Sequence, residues 1–257
     1  MPDVELFHWN PRRRRSRFLP KSVTRPVDNF GDLLGPIVVQ EMLRRSGAGE
    51  AAADARLLSI GSVLHFAQPG DVVWGSGVNG KNLDHPVGCD RLDVRAVRGP
   101  RTRDVLLGSG VQVPEVYGDP GVLVGRLWSR TTLSRGRARR RLTVVPNLHD
   151  VPAHRRHPDF VDPRAPVWDV LGRIASSDMV VGSSLHGIVV AESFGIPARL
   201  VLPGAEPAFK YLDYYEGTGR TAPAFASSVE EAIEMGGEAA PVVDEALIAS
   251  FPVELWR

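Results

Sequence analysis

Short apolar runs that stop at glycine or serine recur along this 257-residue chain, in alternation with amphipathic helical patterns. Residues 56–60 stop at Gly61-Ser62, residues 71–74 at Gly75-Ser76-Gly77, and residues 94–97 at Arg98-Gly99-Pro100. Residues 142–145, 179–181 and 198–202 repeat the form. Runs of this kind read as parallel strands buried on both faces. Parallel strands need crossovers, and helices are predicted between them. Residues 32–45 place Leu33, Leu34, Ile37, Val38, Met42 and Leu43 at helical spacing, with Gly47 just beyond. Pro36 falls in the first turns of that helix, where a missing amide costs little. Residues 100–107, 167–176, 187–194, 228–235 and 244–251 are the further predicted helices. Strand and helix in series predict an α/β fold with parallel sheets.

No internal repeat is present. Residues 120–140 are arginine-rich and lack periodicity, and they separate two α/β halves of about 125 residues, a normal domain size. Two domains are expected, residues 1–125 and 126–257, with ligand sites at the carboxyl ends of strands facing a cleft. With 43% hydrophobic residues and a net charge of +1, the chain is not expected to be disordered. Cys89 is the single cysteine, which excludes an intrachain disulfide and a cysteine-based zinc site. The first ten residues are mixed polar and aromatic, without a signal-peptide core, and no run of 18 apolar residues occurs. A cytoplasmic protein is the expectation.

The small net charge hides an asymmetry. Lysine occurs only at Lys21, Lys81 and Lys210, while arginines cluster at residues 12–15 with Arg17, and seven more fall between Arg126 and Arg141. Such clusters can meet phosphates or the anionic inner face of a membrane, or form solvated loops. They lack the interleaved aromatics of a nucleic-acid platform, so no nucleic-acid partner is expected.

The motif with most chemistry is Gly182-Ser183-Ser184-Leu185-His186-Gly187, where a strand ends and a helix begins. Ser183 and Ser184 can cap that helix, its free amides favour an anion, and His186 at its mouth can serve as a general acid. A histidine that only bonds locally fits the spacing equally well. Asn29-Phe30-Gly31-Asp32 reads as a helix cap or as a small turn approached by a ligand. Gly75-Ser76-Gly77-Val78-Asn79-Gly80 can expose backbone amides, yet matches neither the P-loop nor the dinucleotide fingerprint. Arg98 can bind phosphate or sit in an ion pair. His65 and His149 follow strands in the two halves and either reach the cleft or are structural. Lys210 lies among aromatics that suit a sugar face or a packed edge.

Taken in order, these segments resemble the polysaccharide pyruvyl transferase family. The resemblance rests on Asn29-x-Gly31-Asp32, Gly61-Ser62, Trp74-Gly75-Ser76-Gly77, Arg98-Gly99-Pro100-x-Thr102 and Tyr117-Gly118-Asp119-Pro120. It continues through Ser183-Ser184-Leu185-His186-Gly187 with Ala191, Gly195 and Pro197, and ends at Lys210 with Asp213-Tyr214-Tyr215. It spans roughly residues 27 to 217. It implies two Rossmann-like domains facing a central cleft, similar to the GT-B arrangement. It also implies transfer of pyruvate from phosphoenolpyruvate to two hydroxyls of a sugar or lipid-linked oligosaccharide, giving a cyclic ketal, with no cofactor.

Such chemistry needs an acid for the enol carbon, an anion clamp and a sugar platform. His186 is the expected acid. Arg98 and the amides after Ser184 are the expected clamp, with Arg95 and Lys210 as substitutes. Asn29, Asp32, Ser76 and Asn79 are expected on the opposite wall, and Gly31, His65, Gly75, Gly77, His149, Ser183 and Leu185 around the substrate. Two features depart from the family. Ser184 stands where some members carry arginine, and the chain is short, which points to trimmed acceptor loops. Two other readings stay open. One is a GT-B glycosyltransferase using a nucleotide sugar, with Glu192 as the nearby carboxylate; the other is a non-catalytic carbohydrate-binding protein of the same fold.

Overall fold

A computed structural model describes residues 2–14, 23–83, 87–242 and 245–256. Arg15 and Arg17 of the first arginine cluster, Lys21, and Asp244 at the start of the last expected helix lie outside the described residues.

The chain opens with β1 (Val4–Phe7) and an antiparallel ribbon of β2 (Arg12–Arg14) and β3 (Thr24–Pro26). It continues through α1 (Phe30–Ser46), β4 (Ala55–Leu58), β5 (Val72–Trp74), β6 (Asp93–Ala96) and α2 (Pro100–Gly108). β1, β4, β5 and β6 lie side by side in that order, all parallel. A tight turn at Pro120–Leu123 leads into α3 (Val124–Leu127) and α4 (Arg130–Ser134). Next come β7 (Thr143–Val144), α5 (Val151–His154), α6 (Val167–Ala175), β8 (Val180–Gly182), α7 (Leu185–Ser193) and β9 (Ala198–Leu200). β7, β8 and β9 form a second parallel sheet. The chain then runs through α8 (Phe209–Gly217), α9 (Val229–Met235) and α10 (Glu245–Ala249). The result is a mixed α/β fold with parallel sheets. No described helix is long and apolar enough to cross a membrane.

α1 begins at Phe30, two residues earlier than its periodicity predicts. Pro36 is therefore its seventh residue, so the carbonyl of Asp32 loses its helical donor. Phe30, Leu34, Val38 and Val39 are buried, and Gly47 ends the helix in the left-handed conformation (φ 66°). β1 escapes a reading of hydrophobic runs because its four residues include Glu5 and it sits at the sheet edge. α8 escapes it because its buried positions are Tyr211, Tyr214 and Tyr215, residues of modest helix propensity whose hydroxyls look like surface groups. The arginine-rich stretch 120–140 is not an open linker. Val122, Leu123, Val124 and Leu127 are buried in the main hydrophobic core, which draws on both sheets.

Arg98 and Asp213 join distant parts of the chain. Arg98 is 1% exposed and Asp213 fully buried. Arg98 Nε donates to Asp213 Oδ2 at 2.9 Å. Gly99 is the N-cap of α2 and has no side chain to close the helix. Asp213 does so from α8: its Oδ1 accepts from Thr102 N at 2.9 Å and its Oδ2 from Thr102 Oγ1 at 2.7 Å. A Cβ at Gly99 would collide with the Asp213 backbone oxygen, so glycine there permits the approach of α8. The C-terminal segment also returns to the first sheet, where Trp74 Nε1 donates to Leu247 O at 2.8 Å.

Asp213→Ala would leave the Arg98 charge buried without a partner and α2 uncapped. Urea unfolding is expected to register a loss of about 3–5 kcal/mol. The double variant Arg98→Met, Asp213→Leu is expected to lose clearly less than the two single losses added together.

Candidate active site

A cavity of about 400 Å³ opens where the strands of both sheets end. β4 delivers Gly61 and Ser62 to it, β5 delivers Asn79, and β6 delivers Arg98. From the other sheet β7 delivers Asn147 and His149, and β8 delivers Ser184, Leu185 and His186. The carboxyl ends of parallel strands are where open α/β sheets bind ligands, because the loops there converge and helix N-termini point at the space.

His186 is the second residue of α7, whose N-cap Ser184 accepts from Gly187 N at 3.2 Å. Its imidazole is 12% exposed and lines the cavity. On one side it packs against Gly31, where any Cβ would collide with Nδ1 and Cγ. On the other, Nε2 faces Oδ2 of the buried Asp119 at 3.4 Å. Asp119 Oδ1 is already committed, accepting from Gly121 N at 2.8 Å in the turn that Asp119 caps.

Across the cavity, two lysines converge on one carboxylate. Glu206 accepts from Lys81 Nζ at 2.5 Å and from Lys210 Nζ at 3.2 Å, and His149 Nε2 lies 3.4 Å from it. Burial works to raise Glu206, but the two lysines outweigh it and hold the group below the usual carboxylate range. Lys210 is pushed down by burial, which Glu206 offsets only in part. Burial likewise pushes Asp32 up, against the hydrogen bond from Asn29 Nδ2 at 2.5 Å and the nearby His186 and Lys210. His65 is pushed down by burial. Charged groups desolvated in a cavity are the pattern by which a candidate functional site is recognised.

Of the residues expected at the site, Asn29, Asp32, His65, Asn79, Arg98, His149, Ser184, Leu185, His186 and Lys210 line the cavity. Gly31, Gly75, Ser76, Gly77 and Ser183 stand behind its wall. Gly31 packs on His186, Gly75 on Pro120 and Gly77 on the Arg98 guanidinium, each at a distance that excludes a Cβ. Ser76 is fully buried and donates to Gly61 O at 3.0 Å; Ser183 donates to Asp150 Oδ2 at 2.6 Å. Arg98 reaches the cavity with three donors already engaged, on Asp213, on Ser62 Oγ at 2.7 Å and on Val78 O at 2.9 Å. Arg95 is outside the cavity, paired with Asp93 and Glu254. Glu192, within α7, is buried and accepts from Arg220 at 2.6 Å and Tyr214 at 2.5 Å.

Sequence reasoning missed Trp9, Arg13, Lys81, Asn147 and Glu206, which line the cavity, and carried Asp119 only as part of the Tyr117-Gly118-Asp119-Pro120 motif, without its place behind His186. The rarity of lysine was the available signal for Lys81, since two of only three lysines meet on Glu206. Trp9 and Arg13 arrive on the β2–β3 ribbon and carried no spacing that tied them to the strand ends.

The lowered Lys210 has a consequence for stability. A base whose folded value is depressed weakens the fold below that value, and the penalty fades as pH rises toward the ordinary value of 10.5. Lys210→Met is therefore expected to raise neutral-pH stability by about 0.5–2 kcal/mol. The gain should shrink in alkaline buffer when thermal unfolding is followed against pH.

The site and fold can be set beside known proteins. A crystal structure of the uncharacterised protein KP1_0663 from Klebsiella pneumoniae subsp. pneumoniae NTUH-K2044 superposes on this chain with a TM-score of 0.52. The superposition covers 78% of this chain and 89% of that one at 11% identity, a likeness of fold alone. The succinoglycan biosynthesis protein ExoV of Rhizobium meliloti (strain 1021) is 28% identical over 204 residues, 75% of this chain. The chain spans 62% of the length of that relative. Residues 55–203, which carry most of the cavity wall from Gly61 to His186, match the family model for polysaccharide pyruvyl transferase. More than half of the chain falls within that match, and the chain belongs to the polysaccharide pyruvyl transferase family.

Proposed function

We propose that the protein transfers pyruvate from phosphoenolpyruvate to two hydroxyls of a sugar in surface-polysaccharide biosynthesis, forming a cyclic ketal. The observation that carries this reading is the placement of His186, on a helix N-terminus, across one cavity from the cations on Glu206. The reading takes residues 1–125 and 126–257 as two Rossmann-like units in a GT-B-like pair, with the substrate between them.

In this reading His186 protonates the methylene carbon of the enol phosphate. The double-bond pair forms the new C–H bond and leaves an oxocarbenium-like centre on the neighbouring carbon. A sugar hydroxyl attacks that centre and gives up its proton. Phosphate departs with its bonding pair, and the second hydroxyl closes the ring, losing its proton in turn. Lys210 and Lys81 hold the donor phosphate in competition with Glu206, as point charges suited to it. The amides at the start of α7 take the donor carboxylate, where the helix dipole favours an anion. Arg98 contributes mainly by fixing the wall, since its guanidinium is already held on three sides. Trp9 offers an aromatic face to the sugar. Arg13, whose guanidinium lies 5.6 Å from the Trp9 ring, offers charge to an anionic lipid carrier at the inner membrane face if the acceptor is lipid-linked.

Phosphate release from phosphoenolpyruvate in the presence of a polysaccharide repeat unit tests the reading. His186→Ala is expected to lower kcat by about 10²–10⁴-fold. Lys210→Met is expected to raise KM for phosphoenolpyruvate and leave that for the acceptor nearly unchanged. Calorimetric binding of a nucleotide sugar, with none of phosphoenolpyruvate, would overturn the proposal.

A further inference from the structure

Two enclosed polar atoms in the site have no hydrogen-bond partner among the described residues, and they face each other. They are Nε2 of His186 and Oδ2 of Asp119, 3.4 Å apart. Asp119 is buried and its other oxygen is committed to the Gly121 amide, so Oδ2 has only the imidazole to answer it. Leaving both atoms unpaired would cost the desolvation of each. A short adjustment of the ring makes one charge-assisted hydrogen bond and removes both penalties.

The other ring nitrogen has a different environment. Nδ1 takes no hydrogen bond within the described residues and is not among the enclosed atoms. It lies against Gly31, where any Cβ would collide with it. We infer that Asp119 is a positioning residue that holds the Nε2–H of His186 and so dedicates Nδ1 to the substrate. This rests on the reading of His186 as the acid. Nδ1–H then supplies the proton to the enol methylene carbon, the Nε2–H stays on the ring against Asp119, and a sugar hydroxyl proton restores Nδ1.

The pairing can be read without activity. In protein labelled with ¹⁵N-imidazole histidine and assigned with His186→Gln, the wild-type His186 ring is expected to carry a slowly exchanging proton on Nε2. That proton should exchange freely in Asp119→Asn, whose Oδ1 still accepts from Gly121. A wild-type ring protonated on Nδ1 alone, or exchanging between both nitrogens, overturns the inference. In the transfer assay Asp119→Asn is expected to lower kcat about a hundredfold or more, with KM for phosphoenolpyruvate within about threefold. A kcat within about twofold of wild type also overturns it. A wild-type protein that releases no phosphate from phosphoenolpyruvate sinks the proposed function instead, and the ring spectrum still decides the pairing.

Discussion

A carboxylate from α8 closes the N-terminus of a helix more than a hundred residues earlier, and the site is assembled by that closure. Asp213 caps α2 at Thr102 and neutralises Arg98 in one buried network. The same helix holds the other side of the cavity. Tyr211 donates to Ser183 O at 2.9 Å, beside the start of α7, and Tyr214 donates to Glu192 within α7. Lys210 lies one turn before Asp213, so the anchoring of α8 carries it to the cavity. The network is fully hydrogen-bonded, which is the condition under which buried charge can hold two parts of a fold in one register.

Glycine sets how closely the pieces approach. Gly31 admits the His186 ring, Gly77 admits the Arg98 guanidinium and Gly217 admits the Arg98 backbone. None of these three depends on a left-handed conformation; their value is the missing Cβ. Glycine motifs read in sequence as possible ligand contacts are here mostly contacts of wall on wall. Their effect on the cavity is indirect, because a methyl group at Gly31 would collide with the imidazole of His186.

Charge is distributed unevenly between surface and site. Much of the second arginine cluster is satisfied locally. Arg126 pairs with Glu245, Arg137 with Asp169 and Arg139 with Asp178, while Arg130 donates to the carbonyls of Ala175 and Ser177. In the cavity, by contrast, Asp32 and Lys210 sit where burial opposes their charge. Such placement weakens the fold and is characteristic of sites that must present charge to a ligand.

Local pattern was enough to reveal the parallel strands, the crossover helices α1, α6 and α7 and the strand-end position of His186, because each depends on residues within a few positions of one another. The connections from β4 to β5 and from β5 to β6 carry no α-helix among the described residues. The runs at 56–60, 71–74 and 179–181 carry their own stop signals at Gly61, Gly75 and Gly182, all with positive φ. The ordered motifs from Asn29 to Tyr215 also carried the family. What depended on distance was not legible. Asp213 as the cap of α2, Asp119 behind His186, Lys81 meeting Lys210 on Glu206, and Trp9 at the wall each join segments separated by many residues. A sequence states which side chains can carry charge or a proton. Only the packing of one helix against another decides which become partners, since burial turns an ordinary aspartate into a cap, a counter-ion or a brace for a histidine.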